Sequence, residues 1–314
     1  MVNLTKPPAV SLNAAIGLVA PASAAQPDRI ERGHAALQAL GFAPQLAAHA
    51  CHCGPIYFAG TPAERLADLH AAFADSATSA VMALRGGYGS NYLLDNLDLS
   101  IIAARPKPFF AYSDLTGVQL YLLDRLGLPA FHGPMPAVDF CREDGVHLES
   151  FRAALAGRPY TLGPDEGLRA LKRKQAHTTV TGTLYGGCLS ILVSLLGTPW
   201  EPATENKLLF LEDTGAKPYQ IDRMLWQLRA AGKLAGASGI VFGEMPDCAS
   251  PGAEADLLDR AILSALDGLD IPVAIGLRSG HVSRQNVTLT FGVAAELTVG
   301  DEATLTLVEP AVTK

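Results

Sequence analysis

The chain has 314 residues, of which 49% are hydrophobic and 18% are charged, and its formal net charge is −7. That length exceeds what one hydrophobic core usually supports, so the composition predicts a globular protein with two domains. The acidic balance argues against nucleic acid or an anionic membrane as the main partner. No segment has the roughly 18 uninterrupted apolar residues that a membrane-spanning helix requires.

The cysteines form an odd and scattered set, which favours a reducing cytoplasm over a framework of disulfides. They are Cys51, Cys53, Cys141, Cys188 and Cys248. The sequence Cys51-His52-Cys53 invites a zinc interpretation, but no second pair follows at the spacing of a zinc finger or a zinc ribbon. We therefore expect neither a metal ion nor another cofactor.

The first apolar segment allows two interpretations. Lys6, the largely apolar Ala9–Ala20 and the small residues Ala22-Ser23-Ala24 imitate a signal peptide with its cleavage site. Only one positive charge precedes the apolar run, however, and polar residues interrupt it. We interpret Ala14–Ala20 as the first strand of an α/β domain.

Predicted helices and strands alternate through the rest of the first half. Helices are expected at Asp28–Leu40, after the capping box Thr61-Pro62-Ala63-Glu64, at Gly117–Leu123 and at Leu148–Leu155. Strands are expected at Ser79–Leu84, in the apolar run that ends at Ser113, and at Leu128–Phe131. This alternation implies a mostly parallel sheet covered by helices on both faces, as in flavodoxin-like and Rossmann-like domains.

The second half begins after a segment rich in glycine, proline and charge. That composition predicts a linker over residues 158–176, between a domain of residues 1–157 and a domain of residues 177–314. Further strands and helices follow, and the tail alternates apolar and polar residues, which is typical of an antiparallel ribbon. We therefore expect an α/β protein whose C-terminal domain is rich in antiparallel strands and barrel-like.

Ser113 stands where a strand gives way directly to a helix. A serine on such a sharp turn has an exposed hydroxyl, and the amide N–H of the next residue, Asp114, supplies half of an oxyanion hole. Taken alone, the same residues are also consistent with Ser113 or Asp114 capping the helix.

Two consecutive glycines end the strand at Leu84, within Arg85-Gly86-Gly87-Tyr88-Gly89-Ser90. Such a loop lets backbone N–H groups approach a ligand, so it can cradle a phosphate or complete an oxyanion hole. The spacing of a dinucleotide-binding fingerprint is absent.

Glu212 and His281 also follow predicted strands. A serine nucleophile needs a histidine to take its proton, and the histidine needs a carboxylate to fix its tautomer. Glu212 and Asp213 are neighbours on a strand and project to opposite faces, so only one of them can serve. In isolation, His281 is better interpreted as a loop histidine bonded to backbone.

Several motifs, in this order, resemble the serine L,D-carboxypeptidase family, which also includes microcin C immunity hydrolases. The resemblance covers almost the whole chain. The motifs are Ile16–Ser23, Ala59-Gly60-Thr61, Arg85–Ser90, Tyr112-Ser113-Asp114-Leu115-Thr116, His132-Gly133-Pro134-Met135, Leu211-Glu212-Asp213, Tyr219–Leu225 and Gly280-His281. Two positions depart from the family pattern: Ala111 stands where glycine is common, and Cys188 stands where asparagine is usual.

The resemblance implies a role for each candidate residue. The nucleophile falls on Ser113, the general base on His281, the carboxylate on Glu212, and the oxyanion hole on the backbone of Gly87 and Asp114. A cationic partner for the substrate carboxylate is also needed, and Arg85 is our candidate, although it is equally interpretable as a structural arginine.

The implied activity is a cytoplasmic serine exopeptidase that removes the terminal D-alanine from murein tetrapeptides during peptidoglycan recycling. A homodimer is the oligomeric state that we expect. Two alternatives stay open: an immunity amidase that cleaves aminoacyl-nucleotide toxins, and a non-catalytic nucleotide- or sugar-binding protein that uses the Gly86-Gly87 loop.

Overall fold

The computed structural model describes residues 3–249, 254 and 256–314, and its chain divides into two compact units. The first unit runs to Arg158 and also includes Arg284–Gly292 and Pro310–Lys314. The second unit comprises Pro159–Ser283 and Val293–Glu309. The C-terminal part of the chain therefore contributes to both units, whereas the sequence predicted that residues 177–314 belong to one domain.

The first unit contains a six-stranded sheet in the order β12-β5-β4-β3-β1-β2. All neighbouring pairs are parallel except β12–β5. The strands are β1 (Ala15–Val19), β2 (Ala43–Leu46), β3 (Thr78–Ala83), β4 (Phe109–Ala111), β5 (Ala130–His132) and β12 (Leu289–Phe291). The helices are α1 (Pro27–Ala39), α2 (Pro62–Ala74), α3 (Leu99–Ala104), α4 (Thr116–Leu126) and α5 (Leu148–Ala156).

Local sequence explains the best-defined elements of this unit. The segment that imitates a signal peptide forms the interior strand β1, whose Leu18 and Val19 are fully buried. The capping box of α2 is present: the Thr61 hydroxyl accepts from the Glu64 N–H at 3.2 Å, and the Glu64 carboxylate accepts from the Thr61 N–H at 2.8 Å. Parallel strands place their carboxyl ends at one edge of the sheet, which is where β3 and β4 deliver the glycine loop and Ser113.

The second unit contains an eight-stranded sheet in the order β6-β14-β13-β8-β9-β10-β11-β7. Its central pairs from β8 to β11 are parallel and the flanking pairs are antiparallel. The strands are β6 (Tyr160–Leu162), β7 (Arg169–Lys172), β8 (Thr178–Cys188), β9 (Lys207–Glu212), β10 (Gly239–Gly243), β11 (Val273–Leu277), β13 (Ala294–Val299) and β14 (Ala303–Leu307). The helices are α6 (Leu189–Ser194), α7 (Pro218–Ala230) and α8 (Leu257–Ala265).

The fold class is the predicted one, a mixed α/β fold with two sheets, but the second sheet is open rather than closed into a barrel. Its edges are β6 and β7, among the residues that the structure describes. Both edge strands lie inside residues 158–176, so the predicted linker is wrong over this stretch. Charged residues such as Arg169 and Lys172 are compatible with a strand there because an edge strand is only partly buried.

None of the helices in the described part of the chain is both long enough and apolar enough to cross a membrane.

Candidate active site

Ser113 adopts a backbone conformation that serines rarely adopt. Its φ is +64°, in the left-handed region, and its side chain is half-buried at the end of β4. A short 3-10 turn over Ser113–Leu115 follows and leads into α4, and neither segment has a side-chain N-cap bond. The capping interpretation of Ser113 is therefore wrong, and the strained turn has the geometry of a nucleophile elbow.

The glycine loop lies directly against this turn. A Cβ placed on Gly86 would lie 2.9 Å from the Ser113 Cβ, 3.1 Å from its Oγ and 3.3 Å from the Asp114 nitrogen. Gly87 follows with φ +106°, another left-handed conformation. Glycine at position 86 lets the loop backbone approach Ser113 this closely, and a Cβ on Gly87 would instead lie 2.4 Å from the Ser23 Oγ.

Ser23 and Ser90, two serines that the sequence analysis did not single out, fix the loop and the turn. The Ser23 hydroxyl accepts from the Tyr88 N–H at 3.0 Å. The Ser90 N–H donates to the Asp114 carboxylate at 2.8 Å, and the Ser90 hydroxyl donates to the Asp114 carbonyl at 2.7 Å. These bonds orient the backbone around Gly87 and Asp114 before any ligand arrives. The available signal was that Ser23 ends the motif Ile16–Ser23 and Ser90 ends the motif Arg85–Ser90.

Arg85 precedes the glycines and is half-buried. One of its terminal nitrogens donates to the Ala24 carbonyl oxygen at 3.4 Å. The other lies 3.4 Å from the point where a Gly87 Cβ would be. The guanidinium therefore lies beside the glycine loop, and it also ties this loop to the segment after β1.

Glu212 and His281 form a hydrogen-bonded pair in the second unit. One oxygen of Glu212, at the end of β9, accepts from both the backbone N–H of His281 at 3.0 Å and its ring Nδ1 at 2.7 Å. The Glu212 side chain is fully buried, and the His281 side chain is 23% exposed. A carboxylate at Nδ1 fixes the tautomer of the ring, so that Nε2 is the nitrogen suited to exchange a proton.

Asp213 has different partners from Glu212, as the strand alternation predicts. Its carboxylate accepts from the backbone N–H groups of Ser190 and Thr214, each at 2.8 Å. Burial raises the pKa of Asp213 despite these bonds. On the Glu212 side, a Cβ on Gly243 would lie 2.7 Å from the Glu212 Cβ, so this glycine makes room for the carboxylate.

Cys188 is buried, and its surroundings do not favour a role as nucleophile. Burial, together with the negative charges of Glu212 and Asp213, raises its pKa well above the usual value. A thiol held protonated is unreactive, because the thiolate is the nucleophilic form.

The cysteine and histidine residues near Cys51 show no metal-site geometry. Cys51 and Cys53 are exposed free thiols, and the His49 ring bonds to the Asp68 carboxylate at 2.8 Å. Among the described residues, no group of three or more potential ligands is arranged to hold a metal ion.

Two family profiles match the chain. The LD-carboxypeptidase N-terminal domain matches residues 16–133, and the LD-carboxypeptidase C-terminal domain matches residues 181–297. The chain belongs to the LD-carboxypeptidase family. The expected resemblance is confirmed, and the matched ranges contain Ser113 in one profile and Glu212 and His281 in the other.

Individual proteins and solved structures are similar to this chain over most of its length. The chain is 34% identical over 302 residues to the probable murein peptide carboxypeptidase of Bacillus subtilis, covering 95% of this chain and 92% of that protein. It is also similar to the muramoyltetrapeptide carboxypeptidase of Oxalobacter formigenes, at 28% identity and a TM-score of 0.83, covering 96% and 100% of the two chains. The microcin C7 self-immunity protein MccF in complex with aspartyl sulfamoyl adenosine shares the fold at 24% identity and a TM-score of 0.86, covering 98% and 99%.

This LD-carboxypeptidase family member is therefore an enzyme of the carboxypeptidase type. The structure places Arg85, Gly87, Ser113 and Asp114 in the first unit, where the glycine loop contacts the serine. It places Glu212 and His281 in the second unit, where they are bonded to each other.

Proposed function

We propose that this protein is a serine carboxypeptidase that removes the terminal D-alanine from murein tetrapeptides. The observation that carries the proposal is the bond from His281 Nδ1 to the buried Glu212 carboxylate at 2.7 Å. A histidine held in this way is a prepared general base, and Ser113 on its strained turn is the hydroxyl that a base of this kind activates. The peptide substrate is proposed from the murein peptide carboxypeptidase relatives.

The proposed reaction has two steps. Ser113 Oγ attacks the carbonyl carbon of the scissile bond while its proton passes to His281 Nε2. The N–H groups of Gly87 and Asp114 donate to the resulting oxyanion. His281 then gives the proton to the departing D-alanine amine, which leaves an ester between Ser113 and the shortened peptide. Water, deprotonated by His281, hydrolyses that ester and regenerates the serine.

Glu212 supports both steps through the histidine. When His281 accepts the proton, it becomes a cation whose Nδ1–H already donates to a carboxylate, so the charge develops next to its counter-ion. Burial of Glu212 strengthens this attraction because no water competes for its carboxylate.

Arg85 is the proposed partner of the substrate's terminal carboxylate. A guanidinium binds a carboxylate through two parallel hydrogen bonds, which orients as well as attracts it. Its place beside Gly87 supports this role, since an exopeptidase must hold the terminal carboxylate one residue from the scissile bond.

The fold shared with MccF favours one alternative activity, cleavage of the amide in an aminoacyl nucleotide. The same serine, histidine and oxyanion hole would serve both reactions. Only the peptidase needs to recognise a free carboxylate next to the leaving amine, so dependence on Arg85 and on a free carboxylate separates the two. A non-catalytic sugar- or nucleotide-binding protein needs neither, and it would not react with a fluorophosphonate probe.

Mass spectrometry of the purified protein incubated with a tetrapeptide ending in D-alanine tests the proposal. We expect release of a single D-alanine and no cleavage of the L-alanine epimer. Equal cleavage of both epimers would contradict the carboxypeptidase specificity. Labelling of Ser113 by a fluorophosphonate without cleavage of either peptide would instead favour the amidase. We further propose that the enzyme acts in the cytoplasm in peptidoglycan recycling, as a homodimer.

A further inference from the structure

Arg65 is a buried cation that the proposed mechanism does not use. It lies in the first half of α2, and its side chain is only 1% exposed. Arginine is rarely buried to this extent unless a carboxylate pairs with it. Within the described part of the chain, no carboxylate forms an ion pair with this guanidinium. Burying a cation without such a partner is costly, so a purely stabilising role does not explain this residue.

The guanidinium joins two segments that are distant in sequence. One of its terminal nitrogens, Nη1, donates to the carbonyl oxygens of Pro21 and Gly89, each at 2.7 Å. Pro21 lies in the segment after β1, and Gly89 belongs to the glycine loop after β3. Because the hydrogens of a guanidinium have a fixed planar geometry, the two oxygens are held at a defined separation.

Close packing around Arg65 requires a glycine in the loop. Gly89 has φ +116°, and a Cβ there would lie 2.5 Å from the Phe58 ring and 3.1 Å from the Arg65 Nη1. The Phe58 ring also covers the guanidinium, whose central carbon lies 5.1 Å from the ring centroid. The glycine loop therefore has little freedom to move where it meets Arg65.

The two segments that Arg65 joins also bond directly to each other around Gly87. The Ser23 N–H donates to the Gly86 carbonyl oxygen at 3.3 Å, and the Ser23 hydroxyl accepts from the Tyr88 N–H at 3.0 Å. In a planar trans peptide, the carbonyl group and the following N–H point in opposite directions. The bond to the Gly86 oxygen therefore directs the Gly87 N–H away from Ser23.

Arg65 is linked to the Asp114 side of the proposed oxyanion hole as well. The Gly89 carbonyl that it holds belongs to the same peptide group as the Ser90 N–H, which donates to the Asp114 carboxylate at 2.8 Å. This peptide group is thus fixed at both ends. Burial lowers the pKa of Arg65, and the negative charge of Asp114 opposes that shift.

We propose that Arg65 is a positioning residue for the oxyanion hole, which it serves by holding the backbone around Gly87 and Asp114. This inference rests on the proposed function, because it assigns a role in the same reaction. Arg65 is buried and acts through the backbone rather than by touching the substrate. An oxyanion develops only after Ser113 attacks, so misplaced N–H groups should slow turnover with little effect on substrate binding.

Arg65→Met, which keeps a long side chain and removes the guanidinium, tests this role. On a tetrapeptide ending in D-alanine, kcat should fall about 30-fold and KM should change by less than about twofold. The loss is smaller than the roughly 10²–10³-fold expected for removal of a donor, because the N–H groups are displaced and not deleted. A tripeptide boronic acid forms a tetrahedral adduct with a serine hydroxyl, so its inhibition constant should rise by about the same factor as kcat falls.

Lys107→Met is the matched control in the same unit. Lys107 is 5% exposed, and its Nζ also donates to two backbone carbonyl oxygens, those of Ala72 and Asp75. It precedes β4 and therefore lies at the opposite end of that strand from Ser113. Both methionine variants should lower the urea midpoint, but Lys107→Met should leave kcat and the inhibition constant at the wild-type values. Arg65→Lys keeps a charge and donors, and it should lower kcat only about threefold.

The outcomes separate this inference from the proposed function. If Arg65→Met loses stability but keeps the kcat of Lys107→Met, Arg65 is only structural and the inference is wrong. A raised KM at unchanged kcat would place the effect in substrate binding and would also overturn it. If Arg65→Met does not fold, the same two criteria apply to Arg65→Lys. A wild type that releases no D-alanine would contradict the proposed function itself, and this inference with it.

Discussion

The candidate catalytic residues of the first unit and those of the second unit are held in different ways. In the first unit, the important features are those of the backbone: the left-handed Ser113, the close approach of Gly86 to it, and the N–H groups of Gly87 and Asp114. In the second unit, the important feature is one buried side-chain pair, Glu212 and His281. A backbone arrangement is sensitive to added volume, whereas a buried pair is sensitive to changes of charge and hydrogen-bonding capacity.

This difference teaches which substitutions are informative in each unit. Around Ser113, a single added methyl group should act strongly because the glycine loop has no space for it. Around His281, an isosteric substitution of a carboxylate by an amide removes a charge and leaves the side-chain volume unchanged. The following predictions test this comparison, beginning with the largest expected effect.

Glu212→Gln should reduce kcat about 10⁴-fold, because the amide no longer holds His281 in the correct tautomer. The isosteric Asp213→Asn is the matched control on the neighbouring residue. Its effect should fall on the free energy of unfolding rather than on turnover, since Asp213 bonds to Ser190 and Thr214. Steady-state kinetics and urea denaturation of both variants provide the measurement. The reverse ranking would mean that Asp213 is the carboxylate of the mechanism.

Arg85→Ala should lower kcat/KM on a tetrapeptide with a free C-terminus about 100-fold, through loss of a bidentate ion pair. Amidation of the peptide should cause a similar loss in the wild type. If both changes act through the same contact, Arg85→Ala should have little further effect on the amidated peptide. Independent and multiplicative losses would instead identify Arg85 as a structural residue.

Gly86→Ala should lower kcat about tenfold, because its Cβ would lie 2.9 Å from the Ser113 Cβ and displace the turn. Gly197→Ala is a suitable control, since Gly197 has φ +75° and no atom within 4 Å of an added Cβ. The control should cost some stability and no activity. Equal activity of the two variants would show that close approach of the loop is not required.

The last of these predictions concerns the pH dependence of stability and the buried carboxylate of Asp139. This residue shows that the first unit also contains a buried, hydrogen-bonded side chain. Burial raises the pKa of Asp139 to about 6, although Met135, Arg142 and the side chains of Asn286 and Tyr112 bond to it. The folded state thus holds its proton more strongly than the unfolded state, whose pKa is near 3.8. The free energy of unfolding should therefore fall as pH rises from about 4 to about 6, by roughly 3 kcal/mol at most.

Asp139→Asn should abolish this fall, which urea denaturation at a series of pH values would measure. A wild-type free energy of unfolding that rises over the same interval, with the variant unchanged, would contradict the assignment to Asp139.

Local patterns account for what could be predicted from the sequence. The capping box of α2, the parallel alternation of the first unit and the opposite projection of Glu212 and Asp213 all depend on residues close together in the chain. The turn at Ser113 belongs to this class as well. Its interpretation as a nucleophile nevertheless required the other motifs, since the short segment alone favoured a helix cap.

Long-range pairing accounts for what the sequence did not indicate. The sequence of the short edge strands β6 and β7 resembles that of a linker, because strands at the edge of a sheet are partly exposed and contain polar residues. The sequence of β12 indicates a strand, but its pairing with β5, more than 150 residues earlier, depends on tertiary structure. The same limit applies to Ser23, Ser90 and Arg65, whose roles depend on loops that meet only in the folded chain.

The central claim is that Ser113 and His281, which belong to different units, act as one catalytic group. A kinetic cycle of wild type, Ser113→Ala, His281→Ala and the double variant tests it most directly, with circular dichroism confirming that each variant folds. We predict that each single variant loses three or more powers of ten in kcat, by analogy with roughly 10⁶-fold losses for a serine triad on an unrelated fold, and that the double variant loses no more. Losses that multiply in the double variant, or substantial turnover by either single variant, would contradict the claim.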